Sequence, residues 1–343
     1  MSGQKQRHGI ITGGTWCADH NKLVERWPNE EELVEIISEE IRGGGSACNL
    51  GVNIKRLDPE LPVATIGLLG DDSDGNLLLQ QAKFEGLDCQ NLTIVSGQRT
   101  TFTDAFTAQN SSRRTHLFHS GISDKLNPNH FDFSDVESRI LHLGLPGLHA
   151  QMDVPWAGEQ NGWAAVLKKA QTAGLRTNLE LCSLSPKRLN SLVTPCLKYL
   201  DYLIINEFEI AAVAGQPRDH IQNTDINACI LNAKKLLNGT DIQLIIVHFP
   251  LGAVAVSQDG NYFLAPSVNM PSNSIIGTNG AGDAFAAGAL YGLHQNWSVE
   301  ETLRIAHATA AASMRHIGTT DGVVGWSECI RLASEFGWHN QLH

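Results

Sequence analysis

Seven residues, Gly277-Thr-Asn-Gly-Ala-Gly-Asp283, bring together the groups needed to hold an anion and to move a proton. The small apolar run AFAAGALYGL follows and reads as a helix. A helix start carries unpaired N–H groups and a partial positive charge. Glycine lets that backbone come close to an anion. The amides of Gly280, Ala281 and Gly282 therefore suit an anion hole for oxygens that gain charge during a reaction. A carboxylate beside such a hole opposes simple anion binding. It makes sense when Asp283 takes a proton from a hydroxyl while the amides steady the phosphoryl group under attack. In isolation the same letters also describe an acidic first turn of an ordinary helix. They are not a Walker loop, since no Gly-Lys-Ser/Thr follows.

The elements that must position these residues alternate along the chain. HGIITGG, VATIGLLG, RILHLGLPG, LRTNLEL, DYLIIN and IQLIIVHF read as buried strands. Between them, DSDGNLLLQQAKFEG, GWAAVLKKAQTAG and INACILNAKKLLNG have helical patterns, the first closed by Gly86. In SACNLGVNIKRLD, Ser46 is the candidate N-cap, with Leu50, Ile54 and Leu57 on one face. SPKRLNSLVTPCLKYL is helical until Pro195 obstructs it. AVAVSQDGNYFLAP predicts a hairpin turning at Asp259-Gly260. Three helices are expected at about 280–294, 299–314 and 324–337. Such alternation implies an α/β fold, with a largely parallel sheet, helices on both faces and ligands at the strands' carboxyl ends. Two polar segments, approximately 20–43 and 101–119, break the rhythm. The first allows either a charged helix or strands. The second reads as two strands around a polar turn at Gln109–Ser112. They suggest a small appended sheet, a lid within one domain spanning 1–343.

Composition narrows the function. The chain has 343 residues, 42% hydrophobic, and a net charge of −11, which argues against non-specific nucleic-acid binding. Its seven cysteines are widely spaced without a CxxC, so neither a disulfide framework nor a zinc site is expected. No apolar run reaches the ~18 residues of a membrane span, and the first residues do not read as a signal peptide. A cytoplasmic protein is the expectation. No GxGxxG follows the first strand, which disfavours a dinucleotide-dependent oxidoreductase. His142 and His149 lack metal-site spacing and read as structural.

GTNGAGDAFAAGAL resembles the C-terminal signature of the ribokinase-like, or PfkB-type, carbohydrate kinases, usually written DTxGAGD. GGSACNLGVNIKRLD with ATIGLLGDDSDG resembles their N-terminal signature. GGTWCADH, NEFE and IAHATAAASM resemble further family segments in the family's order, over nearly the whole chain. The resemblance implies the ribokinase-like fold with a β-sheet lid, and ATP-dependent phosphorylation of an alcohol on a sugar, sugar acid or nucleoside. It implies Asp283 as general base and the 280–282 amides as anion hole. Asp19, Gly45 and Asn49 would hold substrate hydroxyls, and Trp16 is a candidate to stack on a sugar face. Glu209 would act on Mg²⁺ through water, with Asn206, Gly252 and His307 on the nucleotide. Lid pairing between subunits would make a homodimer.

Three departures stand out. Gly277 replaces the first Asp of the signature, which weakens the case for a monovalent cation. Phe249 and Pro250 in VHFPLGAV occupy places where small residues are expected, and a ring there would narrow the nucleotide pocket. Ser46 stands where many sugar kinases carry Lys, so ribose is not favoured. Arg113 and Arg114, at the expected lid tip, read as a solvated turn or as contacts for a phosphate-bearing substrate. A non-catalytic sugar and nucleotide sensor on the same scaffold is the competing expectation.

Overall fold

The computed structural model describes residues 7–111, 113–216, 224–340 and 342. Its first half contains β1 (Ile10–Gly14), β2 (Cys17–Val24), β3 (Ile36–Gly44), α1 (Ser46–Leu57), β4 (Val63–Gly70), α2 (Ser73–Phe84), β5 (Asp88–Val95), β6 (Phe102–Ala108), β7 (Arg114–His119) and β8 (Ile140–Gly144). Then come α3 (Gly162–Thr172), β9 (Arg176–Leu179), α4 (Pro186–Val193), β10 (Tyr202–Asn206), α5 (Glu207–Val213) and α6 (Ile226–Leu237). The chain closes with β11 (Leu244–Phe249), β12 (Gly252–Ser257), β13 (Tyr262–Pro266), α7 (Ala281–His294), α8 (Val299–Ser313) and α9 (Trp326–Phe336).

Nine strands form one sheet in the order β13-β12-β11-β10-β9-β8-β1-β4-β5. All pairs from β11 to β5 are parallel, and β12 and β13 add an antiparallel edge. Strands covered on both faces need apolar residues at every position, and β11 obeys this. Leu244 and Ile246 join a core with Leu50 and Ile54 of α1, Leu290 of α7 and Leu303 of α8. Ile245 and Val247 join a second core with Trp163 and Leu167 of α3 and Ile230 of α6. Helices α7 and α8 approach closely because Gly288 lies against Ala306, where a Cβ would come within 2.7 Å of its Cα.

The two polar segments supply a separate four-stranded sheet, ordered β3-β2-β6-β7. Two antiparallel pairs, β2–β3 and β6–β7, are joined by a parallel pairing of β2 with β6. The ambiguous first segment is therefore strand on either side of an irregular stretch, residues 25–35. Ser112, at the expected turn, lies outside the described residues.

Several expectations change in detail. Gly45, not Ser46, is the N-cap of α1, and Ser46 Oγ makes no capping bond. The chain needs φ +83° there, and a Cβ would meet the Thr15 carbonyl oxygen at 2.6 Å. Strand β5 was not expected; it is a mostly exposed edge with little apolar pattern. Beyond α4 the chain tightens into a 3₁₀ turn at Thr194–Tyr199, with Pro195 near its start. None of the seven cysteines forms a disulfide.

Candidate active site

Helix α7 begins at the open end of the sheet. Its N-cap, Gly280, has φ +73°, and a Cβ there would lie 2.7 Å from Thr319 Cβ. No side chain caps this start. The Ala281 amide makes a long bond to the Thr278 carbonyl at 3.3 Å. Among the described residues, the Gly282 and Asp283 amides have no backbone partner. Of the three amides that the sequence points to, those of Gly280 and Gly282 have no backbone partner among the described residues, and only that of Ala281 is engaged, by the turn at Thr278.

Asp283 sits in the first turn of α7, partly accessible at the surface. Asn49 Nδ2, on α1, donates to its Oδ2 at 2.7 Å. The Asn49 carbonyl oxygen in turn accepts from Thr319 Oγ1 at 2.9 Å. Asn49 is therefore buried and held against Asp283 and Thr319. Burial pushes the Asp283 carboxyl well above its ordinary range, and a hydrogen-bonded, charged neighbour, Glu180, raises it further. A helix start is worth only about 0.3–1 kcal/mol to an anion, less than the 1.36 kcal/mol in one pKa unit. The dipole cannot reverse such a shift.

Glu180 closes β9 and is buried. Burial raises its carboxyl to about 7, and Glu209 adds to the rise. The two carboxyls, Asp283 and Glu180, favour sharing one proton, as close acids do. His142 Nδ1 lies 3.0 Å from the Asn178 amide nitrogen, which assigns the ring proton to Nε2. That nitrogen is 2.8 Å from Glu180 Oε2, off the line of a well-formed hydrogen bond. His142 thus belongs to the buried chain leading to the base. His149 remains structural, held by Thr15 Oγ1 at 2.7 Å and by the Ser123 carbonyl at 2.9 Å.

On the lid side, Asp19 is placed by β2, and its carboxyl lies against Gly44, where a Cβ would come within 2.2 Å of Oδ2. Burial raises Asp19 to about 6, and the charge of Asp283 contributes. Asp19 and Asp283, from opposite ends of the sequence, therefore face one site. Trp16 does not. Its indole is buried in the core and donates to Thr65 Oγ1 at 3.0 Å, so it cannot stack on a ligand.

Across α7 a cavity of about 520 Å³ is lined by Asn206, His248, Phe249, Pro250, Phe285 and His307, among others. His248 and His307 each place their ring centroid 4.9 Å from that of Phe285. Burial keeps both imidazoles neutral, lowering them to about 4 and about 3. This wall suits a flat, uncharged ring. Phe249 and Pro250 line it without filling it, because β11 and β12 are joined by a tight two-residue turn. Gly252 is not part of the wall; it lets β13 pass close, where a Cβ would sit 2.4 Å from the Ala265 carbonyl oxygen.

Asn206 ends β10 and caps α5, its Oδ1 accepting from the Phe208 and Glu209 amides. Glu209 Oε2 accepts from the Asn206 amide at 3.0 Å. Burial raises Glu209 to about 7. Among the described residues no three His, Cys, Asp or Glu side chains form a ready metal cage. A separate cavity of about 760 Å³ opens between β3, α1 and α2, but its Arg42 and Arg56 are already paired with Glu40 and Glu85.

Sequence reasoning passed over Glu180 and His248. Both are single residues at strand ends with no motif spacing. The signal available was their place at the carboxyl edge of a parallel sheet.

Known proteins share this plan. An ATP-dependent ribose-1-phosphate kinase of Halopiger xanaduensis is 25% identical over 95% of this chain and 99% of its own. An adenosine kinase of Schizosaccharomyces pombe is 24% identical over 81% of each. The crystal structure of a ribokinase from Thermotoga maritima superposes with a TM-score of 0.77 at 18% identity, covering 96% of this chain and 99% of that one. The family model described as pfkB family carbohydrate kinase matches residues 10–324. The ribokinase-like fold, the open sheet edge and this match together make the chain a kinase of sugar or nucleoside type, a member of the pfkB family of carbohydrate kinases.

Proposed function

We propose that this kinase transfers the γ-phosphate of ATP to a hydroxyl or hydroxymethyl group of a sugar, sugar acid or nucleoside, with Asp283 as general base. The observation that carries the reading is the convergence of Asp283, held by Asn49, with Asp19 beside the unpaired amides of Gly282 and Asp283. Asp19 holds the acceptor alcohol, and Asp283 removes its proton as the bond to phosphorus forms. The amides take up charge on the transferring oxygens. The neutral wall of His248, Phe285 and His307 receives the adenine, with Asn206 toward the phosphates.

Burial raises the carboxyls of Glu209, Glu180 and Asp283, with Glu209 adding to the rise of Glu180, Glu180 to that of Asp283 and Asp283 to that of Glu209; a divalent cation nearby would favour their ionised forms. Mg²⁺ would arrive with the nucleotide and be held by Glu209 through water, where it neutralises phosphate charge. Gly277 offers no side chain for a monovalent cation. The chain acts as one domain in which the small sheet serves as lid. Exposed Ile41 and Leu117, on the face of that sheet opposite Asp19, support its pairing between two subunits; a strict monomer in sedimentation would refute this. Among the described residues no helix is long and apolar enough to cross a membrane. Cysteines without disulfides and ATP use support action in the cytoplasm.

The test is ADP release across a panel of alcohols with wild type and Asp283→Asn. Turnover is expected to vanish in the variant while thermal stabilisation by nucleotide persists. Full activity in the variant would remove Asp283 from the chemistry. The sensor reading draws on Gly277 and the bulky Phe249-Pro250 turn; stabilisation by sugar with no response to Mg²⁺-ATP would favour it.

A further inference from the structure

We propose that Arg114 and His116 form an anion-recognition subsite on the lid, so that the alcohol accepted by this kinase carries a phosphate or carboxylate remote from the reacting hydroxyl. The proposal rests on the kinase reading above and names the class of its acceptor.

Strand register fixes the geometry. Asp19 pairs with Thr103, and Asn21 with Ala105, in the parallel joint between β2 and β6. Ala105 pairs with His116, and Thr107 with Arg114, across β6 and β7. Directly paired residues share a face of a sheet. Arg114 and His116 therefore lie on the face that carries Asp19, and the sheet presents that face to Asp283. Arg114 is not the solvated turn residue that its sequence position suggests. It is partly buried, and its Nε donates to Thr107 Oγ1 at 3.2 Å, which holds the guanidinium against the sheet. Burial lowers the guanidinium from its ordinary value, and the charge of Asp19 on the same face opposes that.

Charge bookkeeping separates Arg114 from the paired lid cations, and burial separates it from Arg113, which is exposed at the turn and likewise has no ion pair among the described residues. Lys22 lies on the opposite face and pairs with Asp104 and Glu39. Arg26 pairs with Glu32, and Arg42 with Glu40. Among the described residues no carboxylate lies within ion-pair distance of Arg114, and no hydrogen bond engages its two terminal nitrogens. An arginine oriented through Nε, with its planar fork open, is suited to bidentate binding of phosphate or carboxylate oxygens. The rest of the site is rich in carboxyls, namely Asp19, Asp283, Glu180 and Glu209. These would repel an anionic acceptor unless its charge is met on the lid. His116 stands beside Arg114 on the same face as a second donor.

The experiment pairs each neutral sugar with its monophosphate and its sugar acid, and measures ADP release with wild type, Arg114→Gln and Arg114→Lys. In wild type the anionic member of a pair should show a KM at least about tenfold below its neutral partner. Arg114→Gln should raise the KM for the anionic acceptor about 10- to 100-fold and erase the preference. Arg114→Lys should restore part of it. The phosphate and acid arms distinguish the two anions. Neutral sugars used equally well, or a preference that survives in Arg114→Gln, would overturn the subsite. A rise in the KM for ATP instead would assign Arg114 to nucleotide phosphates and also overturn it. If no alcohol is turned over, the kinase reading of this site fails separately. The subsite is then read from calorimetric binding of sugar monophosphates without nucleotide, where equal affinity of wild type and Arg114→Gln would refute it.

Discussion

Helix α1 starts after Gly43-Gly44-Gly45 and α7 after the run from Gly277 to Gly280. Both N-caps are glycines in the left-handed region, at φ +83° and +73°, and neither has a side-chain cap. At α1 the Thr15 carbonyl accepts the Ala47 amide at 3.2 Å, and the first turn is buried. At α7 no carbonyl among the described residues reaches the Gly282 and Asp283 amides, and the first turn is partly accessible. A glycine-rich helix start thus becomes a joint when a neighbouring backbone carbonyl takes up a donor, and stays open to an anion when none does. The joint still serves the cradle, since α1 delivers Asn49 to Asp283.

The largest expected effect tests the cradle side directly. Asp283→Asn should lower kcat by on the order of 10³-fold, measured in single turnover, with nucleotide binding little changed. Next, alanine at the two N-caps should separate joint from cradle. Gly280→Ala drives a Cβ onto Thr319 and should cost on the order of 10²-fold in kcat. Gly45→Ala drives a Cβ onto the Thr15 carbonyl and should appear mainly as lost stability, about 1–3 kcal/mol by denaturant titration. The comparison breaks if Gly45→Ala damages kcat more than Gly280→Ala.

Glu180→Gln sharpens it through pH. Glu180 rises from 4.5 to about 7 on folding. A raised acid contributes stability that is present below its unfolded value and lost as pH climbs through the folded one. Wild type without ligand should therefore lose stability between about pH 4.5 and 7. The variant should lose less, with Asp19 and Glu209 still contributing. With the neighbouring charge gone, Asp283 should ionise more readily, moving the acid limb of kcat/KM to lower pH. A limb that stays in place would separate Glu180 from the base. The smallest effect concerns the far wall: His307→Leu should raise the KM for ATP about fivefold, the scale of one lost aromatic contact.

What could be read in the letters was local. The three glycines and Asp283 lie within seven consecutive residues that lead into α7, so the chemistry they suggest could be read from spacing. The parallel sheet followed from alternating strands and helices. Contacts made across the fold were not legible. Nothing in TNLEL marks Glu180 as the neighbour of Asp283, because β9 and α7 meet only after the sheet is assembled. Trp16 was misread for a related reason: its place in sequence, beside Asp19, says nothing about its side chain turning the other way, into the core. The hydrogen bonds of Asn49 were not legible either, because its partners, Asp283 and Thr319, are more than two hundred residues away. Ser46 looked like a cap, but the sharp backbone bend belongs to Gly45.

The parallel pairing of β2 with β6 has a consequence for how the molecule is born. During synthesis the hairpin of β2 and β3 leaves the ribosome well before β6 exists, since α1, β4, α2 and β5 come between. For that interval one long edge of β2 is bare, the kind of edge that recruits stray strands. Lys22 on that strand and Glu39 and Glu40 on its neighbour give the waiting hairpin a charged rim, a safeguard against aggregation whose β3 side persists at the edge of the finished sheet.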